Sequence, residues 1–519
     1  MKAVGEAFSG LVAHLGGNTL KARCARSGVV LGLGAFVAKF FGFGSKVVLT
    51  RLLAPEEMGL MVMILGLTAL FEVLTEVGIK QSVIQHKNGA EPEYLNMAWW
   101  FQSLRAIGLY AVAFIAAPWL CEFYFRSRPE VLTRYSMVEL ITLGRVAFLS
   151  IPFNGFVSPG AYVLEKKFRF GRAVIITQGG FILGSIVTII LAFVVRNVWA
   201  IMIGFAAAGF SRCLMSYILC PFVPKFAYDR ESFNGLYRFA RGVFGLPVLA
   251  YIAFNIDVLV AGKLVSTSLV GFYGMALTLA LVPWDIFAGI MNPVLLPAFA
   301  EKQDDREALC KAVLQITRYT ALFVIPPTAL AMVCSGTILT FVYGAGYSAV
   351  AVSFGLLCVY VLLLIQGSIF TNVFFGIGQP GKTRAFVGLR ALILIALIYP
   401  GIRLFGLTGA AAVVVLASFV AMCLQLTVIR EAIGLSMFDY AISWLPGLVL
   451  GVPVLAVVAL VRWLKPDEPA AYLTIGALSC IAVCLTGLLL LRGSDGSGWY
   501  ASRSVRPVQF ADPEEGQHV

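Results

Sequence analysis

The side chains of this 519-residue chain best placed to do chemistry are charges embedded in apolar runs. Lys39, Lys46, Arg105, Arg145 and Arg212 are basic; Glu72, Glu76, Glu139, Asp257 and Asp285 are acidic. On this reading every embedded base falls in the first half, and the second half carries only Asp257 and Asp285. A charge held in lipid costs at least about 2.5–3.5 kcal/mol, so such residues line a polar cavity or a substrate path, or pair with one another. Bases in a low-dielectric cavity give charge-assisted hydrogen bonds to an anion, bidentate ones from Arg. An isolated carboxylate there takes up a proton or binds a cation. Lys39, Lys46, Arg105 and Arg145 are therefore the expected anion-binding set, with Trp284 lining the path beside Asp285. Glu72, Glu76, Asp257 and Asp285 are the expected ion-coupling set.

The elements that must position them are membrane helices. Hydrophobic residues make up 60% of the chain and charged ones 13%, with a mean hydropathy of +0.89, more apolar surface than a soluble interior can hide. Apolar stretches of about 20 residues match a bilayer crossed at the helical rise, and barrel-type alternation is absent. The chain reads as an all-α polytopic membrane protein with about fourteen spans. They cover residues 28–49, 58–78, 95–120, 137–157, 173–195, 198–220, 242–262, 268–298, 319–343, 349–376, 386–401, 407–429, 441–461 and 470–491. The eighth, with Pro283, Pro293 and Pro297, is expected to break or to run past the bilayer.

With the N-terminus inside, the inner loops and both tails hold most of the 39 Lys and Arg residues, notably Lys166, Lys167, Arg169 and Arg172, then Lys225, Arg230, Arg238 and Arg241. The net charge of +12 is therefore mainly a topology signal, with both termini cytoplasmic, and does not point to nucleic acid. Residues 1–26 lack a long apolar core and a small-residue cleavage site, so they read as a cytoplasmic or interfacial segment and not a removable signal peptide. The Gly-, Ser- and Pro-rich tail, 493–519, reads as disordered.

Metal, cofactor and nucleotide chemistry find no footing. The ten cysteines are scattered without a CxxC, and His14, His86 and His518 all lie outside the spans. No GxxxxGK[ST] is present, and Asp304-Asp305-Arg306-Glu307 reads as a solvated loop helix.

An internal repeat organises the spans. Arg51-Leu52-Leu53, five residues and Gly59-Leu60-Met61 align with Lys263-Leu264-Val265, five residues and Gly271-Phe272-Tyr273, an offset of 212. The same offset superposes 27–220 on 221–430, two sets of six spans; an even number of spans per set makes the copies parallel. The last two spans, 431–492, are an addition to this core.

The run from Arg51 to Leu60 resembles the first outer loop of Wzx-type polysaccharide flippases of the multidrug/oligosaccharidyl-lipid/polysaccharide exporter superfamily. Glu76-Val77-Gly78-Ile79 with Ile84-Gln85, the run from Glu165 to Phe170, Asn255-Ile256-Asp257, and Gly376-Ile377-Gly378-Gln379-Pro380 resemble further segments of that family, in order. The resemblance covers roughly residues 25–430, with the colanic acid type of exporter as the nearest branch. It implies two six-helix lobes of MATE-like fold, facing each other across a cavity that opens alternately to each side. It also implies a polyprenyl diphosphate-linked oligosaccharide as cargo, moved across the bacterial inner membrane to polymerisation or ligation machinery, with membrane lipid as the surroundings. A diphosphate would dock on the embedded bases.

Helical rise places Lys39 about 18 Å and Glu72 about 22 Å below the outer loop, close enough in depth to pair, with Arg105 and Arg145 also near mid-membrane. Plainer roles remain open. Lys46 can snorkel to the outer interface, Glu139 can be interfacial, Arg212 and Asp285 can be structural, and Arg51 and Lys263 can set loop geometry. Trp99, Trp100, Trp119 and Trp199 suit an interfacial belt. A drug or cation exporter of the same superfamily would be expected to lead with acids in a more apolar cavity. A membrane polymerase or ligase would be expected to carry a large periplasmic loop, whereas the longest outer connection is 121–136.

Overall fold

The computed structural model describes residues 20–74, 78–167, 169–225, 229–243, 246–464 and 468–494. Glu76, the N-terminal segment before residue 20 and the tail after residue 494 lie outside the described residues. A backbone in lipid has no water to satisfy it, and accordingly the regular structure among the described residues is helical.

The first half comprises α1 (Leu20–Leu52), α2 (Pro55–Leu74), α3 (Ile79–Gln85), α4 (Pro92–Phe125), α5 (Pro129–Leu132), α6 (Met137–Phe148), α7 (Ser150–Gly155), α8 (Gly160–Lys166), α9 (Phe170–Val174), α10 (Gly180–Val195) and α11 (Trp199–Leu219). The second comprises α12 (Arg230–Val243), α13 (Leu246–Leu264), α14 (Thr267–Ala280), α15 (Val282–Ile290), α16 (Asn292–Glu301), α17 (Arg306–Val333), α18 (Ser335–Tyr343), α19 (Ala351–Gly376) and α20 (Gly381–Ile433). Then come α21 (Met437–Leu464) and α22 (Pro469–Ser494). Local chemistry sets several starts. Ser136 and Glu139 form a reciprocal capping box at α6, and the Asp305 carboxylate accepts from the Ala308 N–H at the head of α17. Glu139 is thus an exposed helix cap.

Eleven stretches among the described residues are long and apolar enough to cross a membrane. One of them, α20, reverses at Gly406, whose φ of 59° and ψ of −143° suit glycine alone. Gly401 and Gly409 meet across that reversal; a Cβ on Gly409 would lie 2.0 Å from the Gly401 carbonyl. The helix is therefore a tight hairpin of two spans. Taking its limbs separately gives twelve such stretches among the described residues. The eighth span is broken as expected: the chain turns at Leu281 and Met291, with Pro283 and Pro293 in the first turns of α15 and α16.

In the first half α10 packs on α11, and α4 on α6 and α7. In the second, α13 and α19 pack on α20, while α16 and α17 pack on α19. The last pair, α21 and α22, pack on each other and on α17. The halves meet where α2 lies against both α13 and α14, and again where α1 touches α15. Leu60, Met63, Leu143, Tyr273, Leu357 and Val414 share one buried core across this seam.

Candidate functional site

Two regions collect polar groups: a junction at the end of the bundle where α1 joins α2, and the interior below it. The junction is built from the aligned repeat. Arg51 donates to the Phe341 carbonyl in the last turn of α18, and Lys263 donates to the Phe123 carbonyl in the last turn of α4. Each base thus meets the negative end of a helix in the other half. Glu56 accepts from the Ser268 hydroxyl at 2.6 Å, a partner 212 residues away. Gly59 sits against the Thr267 carbonyl and Gly271 against the Pro55 carbonyl and the Gly59 backbone, approaches that any side chain would block. Residues separated by the offset of 212 are therefore in contact.

Two buried charges at this end were not picked out from the sequence. Arg128, 5% exposed, donates to the carbonyls of Tyr124, Gly262 and Val265 and to the Thr267 hydroxyl at 2.6–3.1 Å, tying the α4–α6 loop to the other half. Fully buried Glu57 accepts from the Tyr135 hydroxyl at 2.7 Å and the Val198 N–H at 2.8 Å and pairs with Arg134 at 3.2 Å. Burial, and then the Glu57 carboxylate, push the Tyr135 phenol above its ordinary range, which keeps it a donor. Glu57 lies inside the 51–60 run, so that run builds a seam.

The interior of the first half holds a mixed cluster. Glu72 accepts from the Ser150 hydroxyl and the Asn154 amide, each at 3.1 Å, and the Asn154 oxygen accepts from Arg212 at 3.3 Å. Arg105 and Arg212 both act electrostatically on Glu72. Two bases on one acid leave this cluster with net positive charge. The Arg145 guanidinium lies 3.8 Å from the Phe114 ring, and its Nε has no hydrogen-bond partner.

Lys39 corrects the sequence reading. Its partner is Asp285 on α15, at 2.8 Å, and not Glu72 on the neighbouring helix. Depth matched Glu72, but the helix rotation and the α1–α15 contact select the acid from the other half. Asp285 is consequently not the isolated carboxylate expected of a coupling group. Lys46 donates to the Thr278 hydroxyl at 3.2 Å and feels the charges of both Lys39 and Asp285, so it turns inward and does not snorkel.

The expectation that the second half lacks an embedded base also fails. Arg390, 8% exposed, stands on the first limb of α20, between the rings of Phe254 at 4.5 Å and Tyr360 at 5.0 Å, and donates to the Tyr360 hydroxyl at 2.9 Å. Asp257, 3% exposed, accepts from the Tyr273 hydroxyl at 2.7 Å and interacts electrostatically with Arg390. The span 386–401 already contained Arg390; the helix starts earlier, at Gly381, which carries the residue further in. Trp284 stacks on Phe287 and lines a cavity of about 300 Å³ with Arg390. Among the described residues no three His, Cys, Asp or Glu side chains come together as metal ligands.

A family model described as "Polysaccharide biosynthesis protein" matches residues 48–352, more than half of the chain. The chain belongs to this family. Among curated members of similar sequence, the "Lipopolysaccharide biosynthesis protein WzxC" of Escherichia coli (strain K12) is 24% identical over 420 residues, covering 80% of this chain and 83% of that protein. The "Succinoglycan biosynthesis transport protein ExoT" of Rhizobium meliloti (strain 1021) is 22% identical over 338 residues, 64% of this chain and 65% of that protein. The Wzx-type resemblance of the 51–60 run agrees with these relatives. In fold, this member of the polysaccharide biosynthesis family is similar to the "Lipid II flippase MurJ, inward closed conformation", with a TM-score of 0.73 at 16% identity over 90% of this chain and all of that one. It is also similar to the inward-facing conformation of a multidrug resistance MATE family transporter of the MOP superfamily, with a TM-score of 0.59 at 17% identity over 78% and 98% of the two chains. The all-α fold is thus similar to the folds of these two proteins.

Proposed function

We propose that this protein is a flippase of the bacterial inner membrane, moving a polyprenyl diphosphate-linked oligosaccharide from the cytoplasmic to the periplasmic leaflet for exopolysaccharide or lipopolysaccharide assembly. One observation carries the proposal: a chain of the polysaccharide biosynthesis family holds Lys39, Lys46, Arg105, Arg145 and Arg212 on the helices of its first half. The cost of keeping bases there is offset by an anionic head group that binds them. Lys39, Lys46, Arg105 and Arg145 serve as the diphosphate contacts in this reading, with Arg212 beside them. The protein has no catalytic residues to assign and acts by alternating access, its two six-helix lobes, 27–220 and 221–430, rocking about the seam at α2, α13 and α14. In this reading the seam faces the periplasm, which the Lys and Arg bias of the loops supports, and the closed junction leaves the cytoplasmic side as the entrance. Net outward movement draws on an ion gradient through Asp257 and Glu72, or on consumption of the product by a polymerase on the far side.

The relatives' printed names, lipopolysaccharide and succinoglycan biosynthesis, and the lipid II flippase fold neighbour support the reading. A multidrug resistance transporter shares the fold, but five bases in the first half favour an anionic cargo over a cationic one. Depletion of the protein in its host is the deciding experiment. Accumulation of lipid-linked oligosaccharide on the cytoplasmic leaflet, with loss of surface polysaccharide, is expected. Unchanged lipid pools with altered drug sensitivity would overturn the assignment.

A further inference from the structure

The cavity beside Trp284 is chemically unlike the first-half site. Its polar lining includes Asn292, Ser368, Thr371, Thr383, Arg390 and Gln425, and its apolar walls include Phe254, Leu364 and Phe386. Its volume of about 300 Å³ lies at the lower end of pockets that hold small organic molecules. Buried Arg390 spends one guanidinium nitrogen on Tyr360 and is fixed between two rings, yet its Nε has no hydrogen-bond partner. Thr383 Oγ1 is likewise buried without a partner. Unpaired buried donors of this kind are costly unless a ligand satisfies them. The Asn292 oxygen accepts from both Ser368 and Asn372, at 2.9 Å each, which fixes its amide and makes the NH₂ the group it offers.

Charge decides what kind of ligand fits. Arg390 is the one charged side chain lining the cavity among the described residues, so the cavity is not a concentrated cationic site of the sort a diphosphate requires. What remains is a flat indole, hydroxyls, amides and a rigid planar donor. That lining suits a molecule with an apolar face and a rim of hydroxyls.

We propose that this cavity is a saccharide subsite, in which one sugar unit packs against Trp284 and hydrogen-bonds to Arg390, Thr383, Asn292 and Gln425. The inference rests on the flippase reading, since it supplies the glycan, and deepens it. The diphosphate is held by the first half and the glycan is inspected by the second, so cargo selectivity resides in α15, α16, α19 and α20.

The test uses the purified full chain in lipid nanodiscs. The probe is the oligosaccharide freed by mild acid from the host's own lipid-linked pool, which lacks lipid and diphosphate. Saturation-transfer NMR is expected to detect its binding to the parent protein and, equally, to Lys39→Gln. Trp284→Ala and Thr383→Val should weaken it about tenfold, the effect of one lost good contact. Thr383→Val keeps shape and volume, so its loss of binding is not a folding effect. Inorganic pyrophosphate should bind Trp284→Ala and Thr383→Val as it binds the parent and should not displace the glycan. Glycan binding that is absent from the parent, or insensitive to both cavity substitutions, overturns the subsite. Depletion that leaves the lipid-linked pool unchanged overturns the flippase reading instead, so the two failures are distinguishable.

Discussion

Gly59→Ala is the sharpest perturbation of the seam between the halves. A Cβ built at Gly59 lies 1.9 Å from the Thr267 carbonyl oxygen, whereas real contacts do not fall below 3.0 Å, so the two backbones must part by about 1.1 Å. The obstacle is main chain and cannot rotate aside. Overpacking of this kind costs about 1–3 kcal/mol, and a difference of that size shifts a two-state equilibrium by about 5- to 150-fold. The closed junction should therefore lose population by that factor relative to an opened one. The reporter is Val270→Cys, whose native side chain is fully buried at the seam, in a background with the ten cysteines replaced. Its modification by a polar maleimide should accelerate by the same factor in Gly59→Ala. Gly44→Ala is the control, because nothing lies within 4 Å of its Cβ. Gly271→Ala, 2.5 Å from the Pro55 carbonyl, should behave like Gly59→Ala from the opposite side. A folded Gly59→Ala protein with the parent's labelling rate would refute the view that this close approach holds the junction shut.

Three further outcomes follow from the polar interior. Arg145→Gln should abolish surface polymer at unchanged membrane abundance, measured by glycan staining and immunoblot; retained export would remove Arg145 from the diphosphate site. Asp285→Asn should free Lys39 and tighten pyrophosphate binding by up to about fivefold in calorimetry. The gain is small because an exposed pair is worth at most about 1 kcal/mol, and Lys39 is 63% exposed; weaker binding would contradict the pairing. Asp257→Asn should change the dependence of transport on a proton or sodium gradient in reconstituted vesicles, and a parent indifferent to both gradients would refute its coupling role.

Hydropathy carried most of the architecture, because lipid leaves a chain little choice but to form helices, and the apolar runs mark where they lie. Prolines 283 and 293 announced the break in the eighth span. The aligned segments at Arg51 and Lys263 share a base, the spacing and a glycine, and they meet at the seam. What hydropathy gives is depth; it does not give rotation about a helix axis or the neighbour across an interface. Lys39 was therefore matched to Glu72 by depth and found with Asp285 by packing. Arg390 was missed for a related reason. It falls near the start of the apolar run, where a base looks terminal, while polar residues before it extend the helix to Gly381. The buried Glu57 sits beside Glu56, and alternation of charge alone does not tell which of two adjacent acids turns inward.

The contact between Glu56 and Ser268 has an evolutionary consequence. If the two halves arose by duplication of one ancestral gene, a position on the symmetry axis would first have faced its own copy, and two glutamates there would repel. Such positions are where identical copies are least compatible, so divergence is driven there first. Glu56 opposite serine, and glycine retained at both 59 and 271, are the two ways out: become different, or become small. The seam is then a place to read the history of the fusion, independent of any cargo.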